Sequence, residues 1–477
     1  MSPLQVFNTL TAKKEEFVPL TGKAVRMYVC GPTVYDSSHL GHARSFIVWD
    51  VVQRYLRYSG YEVTYVRNIT DIEDKIINRA VELGLRPEQV AREYTYEFWR
   101  DMRALNVTQP DFEPRATEFI QPMIGFVESL IDNHSAYVSG GDVYFEVSTF
   151  KDYGKLKKQE LDDLMVGARE QVRSQEELAV LKRSPLDFAL WKGASQDQVG
   201  WDSPWGRGRP GWHLECSTMI KHVLGETIDI HAGGTDLVFP HHENEIAQSE
   251  ALHAKPLARY WLHNSFLQIN AEKMSKSLGN FKTIGDVLAT YSPDTVRLLI
   301  LQTHYRSPIE FSDDSLKSAQ AGLNRLIRAV TSVSEAEAAS LQLGGAAADS
   351  EFTKSVMRQS GAQFSQAMDN DFNTAEALAV LFSLADQIFQ ENDVSRRLSY
   401  IYALDTFARV LGLTLEDTSH KLDSETISGV LDLVLDLRKE ARDKKDYATA
   451  DLIRQRLTSL GIKVMDTARG PAVWERM

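Results

Sequence analysis

Three clusters of chemically capable residues stand out along the 477-residue chain. The first is His39-Leu-Gly-His42, two imidazoles three positions apart at what reads as a helix start. Both share one turn with unsatisfied backbone N–H groups and the positive end of the helix dipole. That is chemistry for anions: Gly41 lets a purine ring or a phosphate approach the backbone, and the imidazoles donate hydrogen bonds as charge grows on phosphate oxygens. The second is Lys273-Met-Ser-Lys276-Ser277, running into Leu278-Gly279-Asn280 in a loop-like pattern. Lysines there reach a triphosphate. Once the loop closes, they act chiefly on a pentacoordinate α-phosphorus and the departing pyrophosphate. The third joins Cys30 and Cys216, the two cysteines of the chain, to His241 and Glu245 of Pro240-His-His-Glu-Asn-Glu245. On a helix begun by Pro240, His241 and Glu245 point the same way. Two thiolates, an imidazole and a carboxylate are a donor set that zinc accepts, four being the usual number; His242 and Glu243 are rival ligands that spacing alone leaves open. Each cluster taken singly also fits a plainer role, as surface histidines, a solvated lysine pair, or core thiols beside a charged helix start.

The elements that must position these groups follow from periodicity. Val25 to Cys30 reads as a strand that breaks at Gly31-Pro32. A helix is expected from about Ala43 to Tyr58, with Phe46, Trp49, Val52, Tyr55 and Leu56 near one face and Gly60 closing it, and Val63 to Arg67 is strand-like again. Strand, turn, helix, strand is a βαβ unit, which places ligands beyond the carboxyl ends of a parallel sheet. Helices begun by Pro87 and over Thr117 to Asp132 precede a hairpin at Ala136 to Glu146, and the polar stretch Lys151 to Gln198 carries few strand signals. Residues from about 115 to 205 therefore read as an insertion between the halves of a nucleotide-binding fold. The second half resumes with Thr227 to His231 and Trp261 to Leu267. Beyond Asp313 the pattern turns helical, with Leu323, Leu326, Ile327 and Val330 at helical spacing, then an Ala- and Ser-containing linker from Ser334 to Ser350, then helices to Leu413. A last segment carries the basic amphipathic stretch Arg438 to Arg456, then Gly461 to Met465 and Trp474. The expected fold is α/β. A Rossmann-like parallel-sheet domain over 1–312 carries the insertion; an α-helical bundle over 313–413 and a small α+β domain over 422–477 follow.

Composition excludes several classes of function. Hydrophobic residues are 43% and charged residues 25%, and no stretch nears the ~20 consecutive apolar residues of a membrane span. The opening residues lack the pattern of a secretory or organelle leader, so a cytoplasmic protein is expected. Two cysteines make a disulfide framework implausible. A net charge of −13 argues against indiscriminate polyanion binding but leaves room for RNA recognised by shape on a local basic face.

The first two motifs, in this order around a parallel-sheet pattern, resemble the signature pair of class I aminoacyl-tRNA synthetases. That resemblance implies attack of an amino-acid carboxylate on the α-phosphorus of ATP, which arrives with Mg²⁺, and capture of the adenylate by the terminal ribose of a tRNA. The thiolate-rich third cluster gives a physical basis for choosing cysteine. Zinc deprotonates a thiol whose free pKa is about 8.5, whereas a serine hydroxyl is a harder and far less acidic donor. Loss of a metal–sulfur bond then discriminates beyond the ~10² of a plain pocket, so no editing domain is expected.

Tyr28-Val-Cys-Gly-Pro-Thr-Val-Tyr-Asp36 running into His39-Leu-Gly-His-Ala-Arg44 is similar to the opening of the cysteinyl-tRNA synthetase family, as are Arg67-Asn-Ile-Thr-Asp71, Trp205 to Cys216 and Thr235 to Glu245. The resemblance implies that Cys30, Cys216, His241 and Glu245 hold one zinc ion per chain. It implies that His39, Gly41, His42 and Lys276 bind ATP, with His39, His42, Lys273 and Lys276 catalytic. Gly31, Thr70, Trp212 and Asp236 would line the cysteine pocket, Asp236 pairing the substrate ammonium. Glu73, Ala232 and Ser265 depart from the residues common in the family at those positions. Met368 to Thr374 and Lys445 to Arg454 resemble the helical and terminal anticodon-binding domains of bacterial-type members, implying tRNA(Cys), L-cysteine and ATP as partners of a monomer. The rival within enzymes is the cysteine ligase of mycothiol synthesis, which joins cysteine to an amino sugar and lacks the terminal domain.

Overall fold

The computed structural model describes residues 3–158, 180–269, 272–273, 282–333, 350–416, 424–459, 462–465 and 473–476. Met1–Leu415 form one compact unit and Glu416–Met477 a second. At the centre of the first unit lie four parallel strands, β1 (Ala24–Val29), β2 (Glu62–Arg67), β3 (Ile228–Gly234) and β4 (Ala258–Asn264), in the order β4-β3-β1-β2. The chain leaves β1 in one direction, through helix α1 (Leu40–Tyr58) to β2, and returns on the other side as β3. The carboxyl ends of β1 and β3 thus flank a topological switch point, where an open parallel sheet leaves a crevice.

Strand alternation divides β1 between two cores. Met27 and Val29 join the core that holds α1, whereas Tyr28 and Cys30 join the core built by the insertion and by helices α2 (Trp212–Val223) and α3 (Glu243–His253). Cys30 therefore emerges on the same side of the sheet as Cys216 and Glu245. Helix α1 is buried almost all round, as a helix between a sheet and further helices must be. It begins at Leu40, three residues before the expected start, because His39 caps it.

Within the insertion, Ala136–Ser139 and Asp142–Phe145 form the expected hairpin. An unforeseen strand, Phe188–Gly193, extends it and pairs onward with Gly208–Pro210, so this sheet runs past residue 205 and directly into α2. Pro240 does not begin a regular helix. Residues Val238–His242 form an irregular turn with Phe239 extended, the Phe239–Pro240 peptide bond is cis, and α3 starts at Glu243.

Helices α4 (Pro293–Leu301), α5 (Asp313–Val330), α6 (Glu351–Met368), α7 (Thr374–Gln390) and α8 (Val394–Val410) share a core with α1. Asp50 of α1 and Arg297 of α4, both fully buried, lie 2.7 Å apart; Arg297 also donates to the carbonyls of Leu105 at 2.9 Å and Leu411 at 3.0 Å. Arg54 adds a contact of 2.9 Å to the same carboxylate. Gly412 has φ +72°, and a Cβ there would lie 2.0 Å from the Arg297 guanidinium, so the turn after α8 admits only glycine beside this ion pair.

In the second unit, helices α9 (Ser424–Asp443) and α10 (Tyr447–Ser459) pack with the hairpin Ile462–Met465 and Val473–Arg476 around Leu431, Leu435, Leu457 and Val464. The stretch Arg438 to Arg456 spans the end of α9 and most of α10. The linker over 334–349 and Gly461 lie outside the described residues. No helix among the described residues is long and apolar enough to cross a membrane.

Candidate active site and metal centre

At the amino end of α1, two histidines cap the helix reciprocally. The Gly41 N–H donates to His39 Nδ1 at 3.0 Å, the His39 N–H donates to His42 Nδ1 at 3.2 Å, and the rings stack with centroids 3.9 Å apart. Each ring thus uses Nδ1 as an acceptor, which puts the proton of the neutral imidazole on Nε2. Burial and the neighbouring His39 push His42 well below the usual histidine range, so it stays neutral and serves as a hydrogen-bond donor through Nε2. Arg44, one turn on, donates to the carbonyls of Phe266 at 2.6 Å, Tyr305 at 3.1 Å and Ser307, tying α1 to the segment that follows β4.

His39, Gly41 and His42 line a cleft of about 310 Å³ at the carboxyl ends of the strands, together with Gly31, Trp212 and Asp236. Gly31 has no alternative there: a Cβ would stand 1.6 Å from the carbonyl oxygen of Asn68, so the loops after β1 and β2 touch through bare backbone. Thr70 lies behind the cleft wall, buried, donating to Glu215 Oε2 at 2.8 Å and accepting from Asn68 Nδ2 at 3.3 Å. Trp212 opens α2 and stacks on His241 at 4.1 Å. Of the departures, Ser265 sits in the cleft wall, Ala232 is buried in β3, and Glu73 caps the helix Asp74–Leu83.

Cys30 also lines the cleft, and behind it four buried donors converge. Cys30 Sγ lies 3.8 Å from Cys216 Sγ and 3.6 Å from Glu245 Oε1; His241 Nε2 lies 3.6 Å from Cys216 Sγ and 2.9 Å from Glu245 Oε1. Donors about 2.0–2.3 Å from a tetrahedral zinc ion stand ~3.3–3.8 Å from one another, so three of these edges already match and the fourth is drawn in to a hydrogen bond. A second set, Cys30, His231, His242 and Glu245, shares two members with the first. It offers one sulfur where the first offers two. His242 is also engaged elsewhere, its Nδ1 standing 2.8 Å from His263 Nε2 while its Nε2 faces Cys30 Sγ at 3.3 Å. The softer set of Cys30, Cys216, His241 and Glu245 fits zinc better.

Electrostatics favour a cation at that point. Although burial opposes charge on both, His241 is held well above the usual histidine range by Glu245 and Cys216, and Glu245 well below the carboxylate range by His231 and His241. Hydrogen bonding from Cys30 draws the Cys216 thiol down, while burial pushes Cys30 up. Cys216 and Glu245 thus carry negative charge around a protonated His241, a positive charge whose place a metal ion can take.

Three histidines that sequence reasoning did not single out complete the surroundings. His231 Nε2 lies 2.8 Å from Glu245 Oε2, His213 Nδ1 lies 3.0 Å from His241 Nδ1, and His263 bridges His242 to Thr9, 2.8 Å from each. The available signal was that His231 and His263 each lie in a strand-like run ending at a polar motif. Lys273 closes a short strand with Glu272, and Lys276 lies outside the described residues.

Comparison with known proteins agrees with this architecture. Residues 16–321 match the family described as tRNA synthetases class I (C) catalytic domain, and residues 363–416 match the DALR domain. A cysteine–tRNA ligase of Heliobacterium modesticaldum is 47% identical over 485 residues, covering 99% of each chain. One from Geobacter sulfurreducens is 47% identical over 98% of each. Among solved structures, a methionyl-tRNA synthetase of Mycobacterium tuberculosis in complex with methionyl-adenylate superposes with a TM-score of 0.56 at 15% identity, covering 87% of this chain and 94% of that one. A putative arginyl-tRNA synthetase of Campylobacter jejuni gives 0.56 at 12%, covering 83% and 94%. At those identities the structures share the fold.

Proposed function

Because the chain belongs to the cysteinyl-tRNA synthetase family of class I enzymes, we propose that it activates L-cysteine with ATP and esterifies it to the 3′ end of tRNA(Cys), acting as a cytoplasmic monomer. The observation that carries this reading is the convergence of Cys30, Cys216, His241 and Glu245 at a cleft whose other wall is the His39–His42 cap. A bound zinc ion would supply a Lewis-acidic centre that takes the substrate side chain as thiolate and leaves serine without an equivalent bond.

The remaining roles belong to side chains. Asp236 accepts from the substrate ammonium, Trp212 and Gly31 bound the pocket, and Thr70 supports it from behind. The cysteine carboxylate oxygen attacks the α-phosphorus of ATP, brought with Mg²⁺, and the bond to pyrophosphate breaks. His39 and His42 donate through Nε2 to the phosphate oxygens as charge builds, and Lys276, with Lys273, balances the departing pyrophosphate. The terminal ribose hydroxyl of tRNA then attacks the acyl carbon and AMP leaves. The unit over 416–477 contacts the anticodon, a role the amino-sugar ligase has no use for.

The test is ATP-dependent charging of unfractionated tRNA with labelled cysteine, with serine and the mycothiol amino-sugar acceptor in parallel. Cysteine on tRNA and no serine is the expected result. Cysteine-dependent pyrophosphate release with coupling to the amino sugar but no charged tRNA would overturn it.

A further inference from the structure

Lys75 has no role in the reading above, yet it lines the cleft. It follows β2, in the first turn of the helix Asp74–Leu83, and its side chain is exposed. Its backbone N–H donates to Glu73 at 2.6 Å. Its ammonium stands 5.6 Å from the ring centroid of Tyr35, another cleft residue, and among the described residues no carboxylate lies within ion-pairing distance of it. The neighbouring carboxylate is occupied elsewhere: Asp74 pairs with Lys192 at 2.9 Å and Arg209 at 2.6 Å, both from the insertion. These two pairs clamp the start of the helix to the insertion sheet and leave Lys75 at the cleft rim, with Glu73 as its nearby carboxylate but no ion pair among the described residues. Arg44, the other non-histidine cation of the lining, is spent on backbone carbonyls.

Position decides which phosphate it serves. The ATP phosphates must lie between the His39–His42 cap and the segment through Lys273, which hangs from the β4 edge of the sheet through Leu267–Ile269. Lys75 is carried from the β2 edge, on the far side of the sheet order from β4. The segment through Lys273 and the helix that carries Lys75 thus approach the cleft from opposite edges of the sheet. The phosphodiester anions that must enter the cleft from elsewhere are those of the acceptor strand, whose terminal ribose has to reach the adenylate.

Building on the proposed function, we propose that Lys75 contacts a backbone phosphate of the 3′-terminal nucleotides of tRNA and positions the acceptor end for transfer. The test uses the full-length protein with Lys75→Ala and Lys75→Arg. The side chain is exposed, so both variants should fold. Three quantities are compared: cysteine-dependent ATP–pyrophosphate exchange without tRNA, single-turnover transfer from preformed adenylate across tRNA concentrations, and the salt dependence of the half-saturating tRNA concentration. Lys75→Ala should raise that concentration about tenfold, as loss of one charged hydrogen bond does. It should also flatten the logarithmic salt slope by ~0.7, the value for one single-strand phosphate contact. Exchange should change less than twofold, and arginine should restore most of the tRNA affinity. Exchange falling in step with transfer would assign Lys75 to ATP, and unchanged transfer would remove it from the site; both overturn the proposal. Failure of the unaltered protein to charge tRNA would instead strike the parent reading.

Discussion

His231 holds the one oxygen of Glu245 that His241 does not: Nε2 of His231 stands 2.8 Å from Oε2, while Oε1 faces His241 at 2.9 Å. The His231 ring lies flat on Trp261, 4.5 Å away, so its direction is fixed by packing. A carboxylate gripped at its outer oxygen presents the inner one in a fixed direction. His231→Phe, which keeps the stack and removes the hydrogen bond, should lower zinc affinity about 10- to 100-fold in a chelator competition. Unaltered affinity would reduce His231 to packing.

Cys216→Ser should cost the protein its zinc and its cysteine activation together, since an alcohol replaces a thiolate poorly. Metal content of the purified variant and cysteine-dependent pyrophosphate exchange measure the two. Full zinc in the variant would exclude Cys216 as a ligand.

Gly31→Ala forces a methyl group to within 1.6 Å of the Asn68 carbonyl oxygen unless the backbone moves. The displaced loop carries Cys30, so both metal and substrate geometry shift. A displacement of about 1 Å costs roughly 10²-fold in rate, and exchange assays should find a loss of at least that order. A variant within a few-fold of the parent would mean the loops after β1 and β2 separate freely.

Asp50→Asn leaves the Arg297 guanidinium buried without its counter-charge and should destabilise the 1–415 unit by about 3–5 kcal/mol at neutral pH. Burial raises the Asp50 carboxyl, but Arg297, Arg54 and the Thr108 N–H outweigh it and hold the group below its ordinary value. The carboxylate's contribution is therefore complete above about pH 4 and disappears as pH falls through the lowered native value. Thermal unfolding of parent and variant should differ at pH 7 and converge in acid. A gap that persists unchanged at pH 2 would assign the effect to packing.

Much of this is legible in the residues themselves. The βαβ unit follows from periodicity, and alternation along β1 sets Cys30 on the face opposite Val29. His39 and His42 announce a helix start, although their mutual capping, which dictates the tautomers, emerges only in three dimensions. Phe188–Gly193 was missed because its apolar residues lie in a polar stretch and its partners are the Asp142–Phe145 and Gly208–Pro210 strands, a tertiary relation with no local signature. His213, His231 and His263 were missed for the same reason: nothing in their spacing relates them until β3, β4 and α2 are packed. Lys75 belongs to no motif, and only the cleft around it separates it from other surface lysines.

The 3.8 Å approach of Cys30 to Cys216 spans 186 residues of chain. At about 5–20 residues per second, a ribosome exposes Cys30 about 10–40 s before Cys216 exists, and Glu245 later still. For that interval the first thiol lacks the three donors it meets in the folded chain. The insertion that separates the two halves of the sheet thus sets a clock on assembly of the cluster.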